Sequence, residues 1–403
     1  MSLRLLLRTL ASLHQKPNFS GLLASTFSLG IAFSFVAPFL SKWGTEEIGM
    51  TPSGFGVFMT ITSLSAIVVS TVLAKLSDSR LPRKTVLILG SAAGVVGFAA
   101  YALIRDITLL LVVGCTMQAA ASICFAQLFS HVRETYGEIG GDKGASSFTM
   151  SVVRVCFSFS WTLGPATGAV MLTSFGFRGL FLSAAALYLL FLLGVLKFVS
   201  YRKPNPQSST ATKPNFLAGL ARPKLALSFT AFAAVSAANA INMMNLPLAM
   251  TRSLNGTESD LGIAFGIGPV VEIPLMLWFG HLAGKGYQLS LIKFGVIITA
   301  AYFFGLSFAS QPWHVFILQI LSGTAFAILT NIAILFFQDL LPGQMGLATS
   351  IFSNSGAVGN LVGMLTFGFI LESFGHQGTF LTCALIATVA SGLIVGIRRD
   401  ASE

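Results

Sequence analysis

Long apolar runs separated by short polar connections dominate the chain. Read in windows of about 19 residues, they fall at 19–42, 54–74, 85–104, 107–129, 146–173, 179–199, 225–250, 261–283, 288–309, 313–337, 346–371 and 376–397; they are called spans one to twelve below. At 1.5 Å per residue each covers the roughly 30 Å of bilayer hydrocarbon as a helix. The runs are continuously apolar, whereas a membrane strand would alternate its facing residues in pieces of about 10. The pattern predicts an all-α integral membrane protein of twelve transmembrane helices.

Composition strengthens this, because 54% hydrophobic and 9% charged residues leave too little polar surface for a soluble domain of 403 residues. The net charge of +10 raises the question of nucleic acid, but its placement answers it. Nineteen lysines and arginines fall on the connections of one side and four on the other, namely Lys42, Arg105, Arg178 and Arg252. The positive-inside rule then predicts both termini in the cytoplasm and an even number of crossings. No cleavable signal peptide is read from the start, since the first apolar run is a full span. Cys115, Cys124, Cys156 and Cys383 lie within spans at no metal-ligand spacing, and no HExxH, GxSxG or Walker pattern occurs. The expectation is neither an enzyme nor a metal or nucleic-acid binder, with no cofactor.

The chain also repeats itself. YRKPNPQSSTATKPNFLAGLARPK, 201–224, is polar, carries four prolines and divides six spans from six, so it reads as a cytoplasmic linker between bundles at 1–200 and 225–403. SFGFRGLFL at 174–182 recurs as SFGHQGTFL at 373–381 with six of nine positions identical, an offset of 199 that also pairs Gly164 with Gly363 and Thr167 with Thr366. Two six-helix halves in one orientation resemble the parallel repeats of the major facilitator superfamily. That resemblance implies a central site between the halves and alternating access by rocking. In AKLSDSRLPRK, after span two, Asp78 with Arg80 and Arg83 could clamp neighbouring helices through charge-assisted hydrogen bonds, although Ala74 and Leu81 stand where the superfamily motif has glycines. In SWTLGPATGA, 160–169, small residues recur every four positions through Gly164, and Pro165 supplies a bend. This is similar to the Gly-Pro motif of the superfamily's exporters.

Two formal charges fall well inside spans, Arg154 in span five and Glu272 in span eight. A charge at the membrane centre costs about 2.5–3.5 kcal/mol on insertion scales, so both should face protein or water. Desolvation favours a neutral Glu272 and a nearby arginine an ionised one, which makes Glu272 the proton-coupling candidate and Arg154 its potential partner. A permanent pair, or two separately satisfied residues, would serve structure alone. In span seven NAINMMNLP sets Asn239, Asn242 and Asn245 three residues apart on neighbouring parts of one face. Amides donate and accept, which suits hydroxylated cargo, and helix-to-helix bonding is the alternative. Gln118, Gln127, Gln319, Asn331 and Asn354 extend a polar lining if they turn inward, and Trp161 could platform a sugar ring or simply pack.

FFQDLLPGQMG (336–346), VEIPLML (271–277), SVVRV with the following SWTLGP (151–165), AKLSDS (74–79) and QLFSHVRE (127–134) closely resemble the bacterial sugar efflux transporters of the Set family, through both halves and most of the chain. The resemblance implies a proton-linked exporter of sugars or glycosides in a bacterial inner membrane, with sugar and lipid as partners and a monomer as the working unit. Gln338 and Asp339, at the inside end of span ten, read as gate structure. A multidrug exporter of the same superfamily and a sugar sensor without turnover are the competing readings.

Overall fold

The computed structural model describes residues 18–136, 143–201, 219 and 221–397. The arginines at 4, 8, 202, 398 and 399, the lysines at 16, 203 and 213 and most of the expected linker lie outside the described residues. Those described are mostly helical, with no strand among them. Nine helical runs are long and apolar enough to cross a membrane, and three of these, Val152–Phe198, Glu258–Ser307 and Met345–Val395, are 47 to 51 residues long, about twice the length one crossing needs. Each is interrupted by one glycine of positive φ, at Gly176, Gly286 and Gly375. Divided there, the runs agree with the twelve spans of the sequence.

The repeat is visible in the backbone. Gly176 has φ 64° and ψ −171°, and Gly375, 199 positions later, has φ 66° and ψ −176°. Only glycine occupies that region without strain, and at both places the chain turns from one helix into the next. The helix after each turn ends in the same way. Lys84 Nζ donates to the Leu196 carbonyl at 2.8 Å and Lys293 Nζ to the Val395 carbonyl at 3.0 Å, so a lysine satisfies a terminal carbonyl in both halves; the carbonyls are again 199 positions apart and the lysines 209.

The chain forms two compact units. Unit one comprises 1–37 and 61–211, and unit two 38–60 and 212–403. In unit one, Phe98 and Tyr101 of the Arg83–Leu103 helix meet Phe181 and Tyr188 at centroid distances of 5.3–6.3 Å. Spans one and five approach closely, with Ser34 Oγ donating to the Ser160 carbonyl at 2.9 Å. A methyl group on Gly164 would collide with Ser34. Such contacts between small residues hold membrane helices where no hydrophobic gain is available. In unit two the equivalent Gly363 lies against the Ala237 carbonyl and Gly359 against that of Ala233. Its core is a cluster around Phe232, Phe337 and Phe352, with centroids 5.3–5.8 Å apart.

Unit two also takes in residues 38–60, which the sequence assigns to the N-terminal bundle. Charges explain this. Lys42, only 4% exposed, sits 2.5 Å from Glu258 and 3.7 Å from Glu46. Arg252 reaches Glu46 at 3.2 Å. Glu372 accepts from the Ser53 amide at 2.9 Å and from its hydroxyl at 2.6 Å, satisfying the N-terminus of the Pro52–Ser79 helix from outside that helix.

Candidate functional site

Unit two contains a cavity of about 130 Å³ among spans seven, nine, ten and eleven. Ser236, Asn239, Thr299, Tyr302 and Ser322 give it hydroxyl and amide groups, and Phe232, Phe326 and Phe352 give it aromatic rings. Local sequence explains the split. Ser236 and Asn239 are three residues apart and so neighbours on one helical face, while Phe232 lies one turn further along.

Beside the cavity is a buried polar node. The Tyr302 hydroxyl receives Asn242 Nδ2 and Gln319 Nε2, each at 3.3 Å, so spans seven, nine and ten meet on one oxygen. Asn242, Tyr302 and Gln319 are 8%, 2% and 5% exposed, and the Asn242 carbonyl oxygen has no hydrogen-bond partner among the described residues. A buried polar atom left unsatisfied costs about 1–3 kcal/mol.

The three asparagines of span seven therefore do different things. Asn239 lines the cavity and Asn242 joins the node. Asn245, fully buried, is engaged by His376, with Oδ1 2.8 Å from Nδ1 and Nδ2 donating to the His376 carbonyl at 3.2 Å. It holds the turn between spans eleven and twelve rather than a cavity wall. Gln127, in unit one, is likewise engaged by the protein. Its side-chain oxygen, on a residue 3% exposed, accepts from Ser77 Oγ and Arg83 Nη1 at 2.9 Å each, as one of the acceptors that the five donors of a half-buried guanidinium call for. Gln118 ends a π-helical turn, Gly114–Gln118, with a buried amide nitrogen that finds no partner among the described residues. Asn331 falls in the irregular break between Leu329 and Ala333, Asn354 is exposed and Trp161 half-buried; none of the three joins the cavity lining.

Both intramembrane charges avoid the apolar outer faces of their helices. On the Glu258–Leu282 helix the exposed stripe is Ile263, Val270 and Leu277, at 48%, 55% and 77%. At 100° per residue half-buried Glu272 points the opposite way, with buried Leu261 and Phe279. Pro269 and Pro274 flank it inside the helix. Arg154 is exposed, yet it shares the side of buried Pro165 and lies away from the stripe of Val155, Phe159, Leu163 and Val170.

After span two, Arg83 gathers a group of charges. Its Nη2 lies 2.9 Å from Asp78 and 2.7 Å from Glu134, and its Nε donates to Glu134 at 2.8 Å. One guanidinium thus ties spans two, three and four. Arg80 is exposed and outside this group. In unit two Gln338 donates to Thr349 Oγ1 at 3.2 Å, across the Gly343 turn, and Asp339 is exposed. Tyr302, Thr299 and Ser322 were not singled out by sequence reasoning. The signal was there for Tyr302, the one tyrosine in the interior of a C-terminal span.

Comparison with known proteins places these features in a lineage. The profile of the Major Facilitator Superfamily matches residues 22–240 and again 227–403. A Deinococcus radiodurans protein with the provisional name of sugar efflux transporter is 32% identical over 95% of this chain and 98% of its own. Sugar efflux transporter A of Dickeya chrysanthemi is 31% identical, over 92% and 93%. Among solved structures, the nucleoside transporter NupG superposes with a TM-score of 0.77 over 94% of this chain and 98% of its own, at 14% identity. With its duplicated six-span halves and these relatives, the chain belongs to the major facilitator superfamily, in the family of the bacterial sugar efflux transporters.

Proposed function

We propose that the protein is a secondary transporter that moves sugars or simple glycosides out of the cytoplasm of a bacterium, across the inner membrane, by alternating access and in exchange for protons. The observation that carries the cargo class is the C-terminal cavity, with amides and hydroxyls beside aromatic rings. A sugar has that duality, with a rim of groups that donate and accept and an apolar ring face. The names of the relatives point to the same class.

Glu272 is the residue assigned to proton coupling, with Arg154 as the candidate counter-charge. A carboxylate in a span, turned from the lipid-like stripe and flanked by two helix-bending prolines, can gain and lose a proton as its surroundings change between wet and dry. Counterflow in proteoliposomes, with a panel of labelled hexoses and hexosides and with or without an imposed pH gradient, tests both parts. Exchange of at least one sugar is expected. Glu272→Gln is expected to keep exchange and lose the pH-driven component; gradient-driven flux equal to the parent's would remove Glu272 from the coupling.

A further inference from the structure

The node beside the cavity has one hydrogen-bonding group more than the protein answers. Tyr302, Asn242 and Gln319 share the phenol oxygen, which Ser322 also reaches, and the Asn242 carbonyl oxygen is left over. Turning the amide over would give that oxygen the tyrosine proton and leave the amide nitrogen over instead. In either orientation one buried polar atom of Asn242 awaits a partner.

A packing role alone would not call for this arrangement, since a half-satisfied network is poorer than an apolar core. The surroundings are also those of a site. Tyr302 and Ser322 line the cavity, Asn239 stands three residues from Asn242 on the same helix, and Phe326 and Phe352 supply aromatic surface. A hydroxyl group both donates and accepts, so it satisfies whichever atom Asn242 presents. We propose that Asn242, oriented by Tyr302 and Gln319, is a specificity subsite that reads one hydroxyl of the transported sugar ring. Asn242 stands just behind the cavity wall, of which Tyr302 is part; in the proposal the sugar hydroxyl reaches the amide past Tyr302, a positioning residue, with spans nine and ten holding the amide in place. The proposal rests on the sugar-export reading and adds to it where the choice among sugars is made.

A site built around a buried hydrogen bond rejects the analogue that lacks the matching group more strongly than a merely apolar pocket rejects a missing methylene. The test is competition in the same counterflow assay, using each transported hexose and its complete set of monodeoxy derivatives against the parent protein, Tyr302→Phe and Asn242→Ala. The parent is expected to disfavour one deoxy derivative by about 10- to 100-fold. Both variants should weaken the full sugar to the level of that derivative and leave the derivative itself unchanged. Thermal melting in detergent identifies any variant that fails to fold, and Asn242→Ser then replaces Asn242→Ala. Equal treatment of all deoxy derivatives by the parent overturns the subsite, as does an equal loss for every sugar in both variants, which is what a node holding only helices or a resident water would give. Absence of exchange of any sugar by the parent overturns the transport reading and the subsite with it, a result distinct from either of the others.

Discussion

Gly164 and Gly363 hold positions where a methyl group has nowhere to go, one against Ser34 and the other against the Ala237 carbonyl. Leucine at either is expected to cost about 1–3 kcal/mol through overpacking and to lower the melting temperature in detergent, whereas leucine at Gly280, with open space around it, should leave it unchanged. The small-residue spacing made Gly164 legible in the sequence. The roles of the amides were legible only as a set. Periodicity puts Asn239, Asn242 and Asn245 on neighbouring faces, but whether an amide meets a cavity, a phenol or a histidine depends on side chains 60 and 131 positions away, which no local pattern encodes. The contacts of Gln127 were hidden for the same reason, because its partners Ser77 and Arg83 come from two other helices.

At the scale of elements, the glycine turns are the sharpest case. Gly176 and Gly375 share a backbone region that strains any other residue by about 1–3 kcal/mol. Alanine at each should therefore lower stability by similar amounts, read as nearly equal shifts in melting temperature; a large inequality would show that the two turns are not structurally equivalent. The Arg83 fork ties three helices through two carboxylates. Arg83→Lys keeps the charge and loses the planar geometry, so it should stabilise less well than the parent and better than Arg83→Ala, in the same melting assay. Spans, their boundaries and the connecting charges were readable because each is a property of a continuous stretch.

For the molecule as a whole, residues 38–60 are the instructive segment. They belong to unit two through an ion pair whose partners are 216 positions apart, a distance over which hydropathy carries no information. Lys42→Glu should lower stability by about 1.5–3 kcal/mol, the range for a hydrogen bond to a charged group. Glu258→Lys should do likewise, and the double exchange should recover much of the loss, because the pair is restored with its polarity reversed. Failure of the double exchange to recover anything would place the effect in packing around Lys42. The helix-end lysines have a different kind of consequence. Lys84 and Lys293 belong to the nineteen cations on the side that the charge pattern assigns to the cytoplasm, but their ammonium groups are held by the Leu196 and Val395 carbonyls. Anchored so, they are withheld from lipid phosphates, and attraction to an anionic leaflet, worth about 1 kcal/mol for each free basic group near the surface, falls to neighbours such as exposed Lys75 and Arg80. The protein should accordingly recruit phosphatidylglycerol less strongly than its count of basic residues suggests.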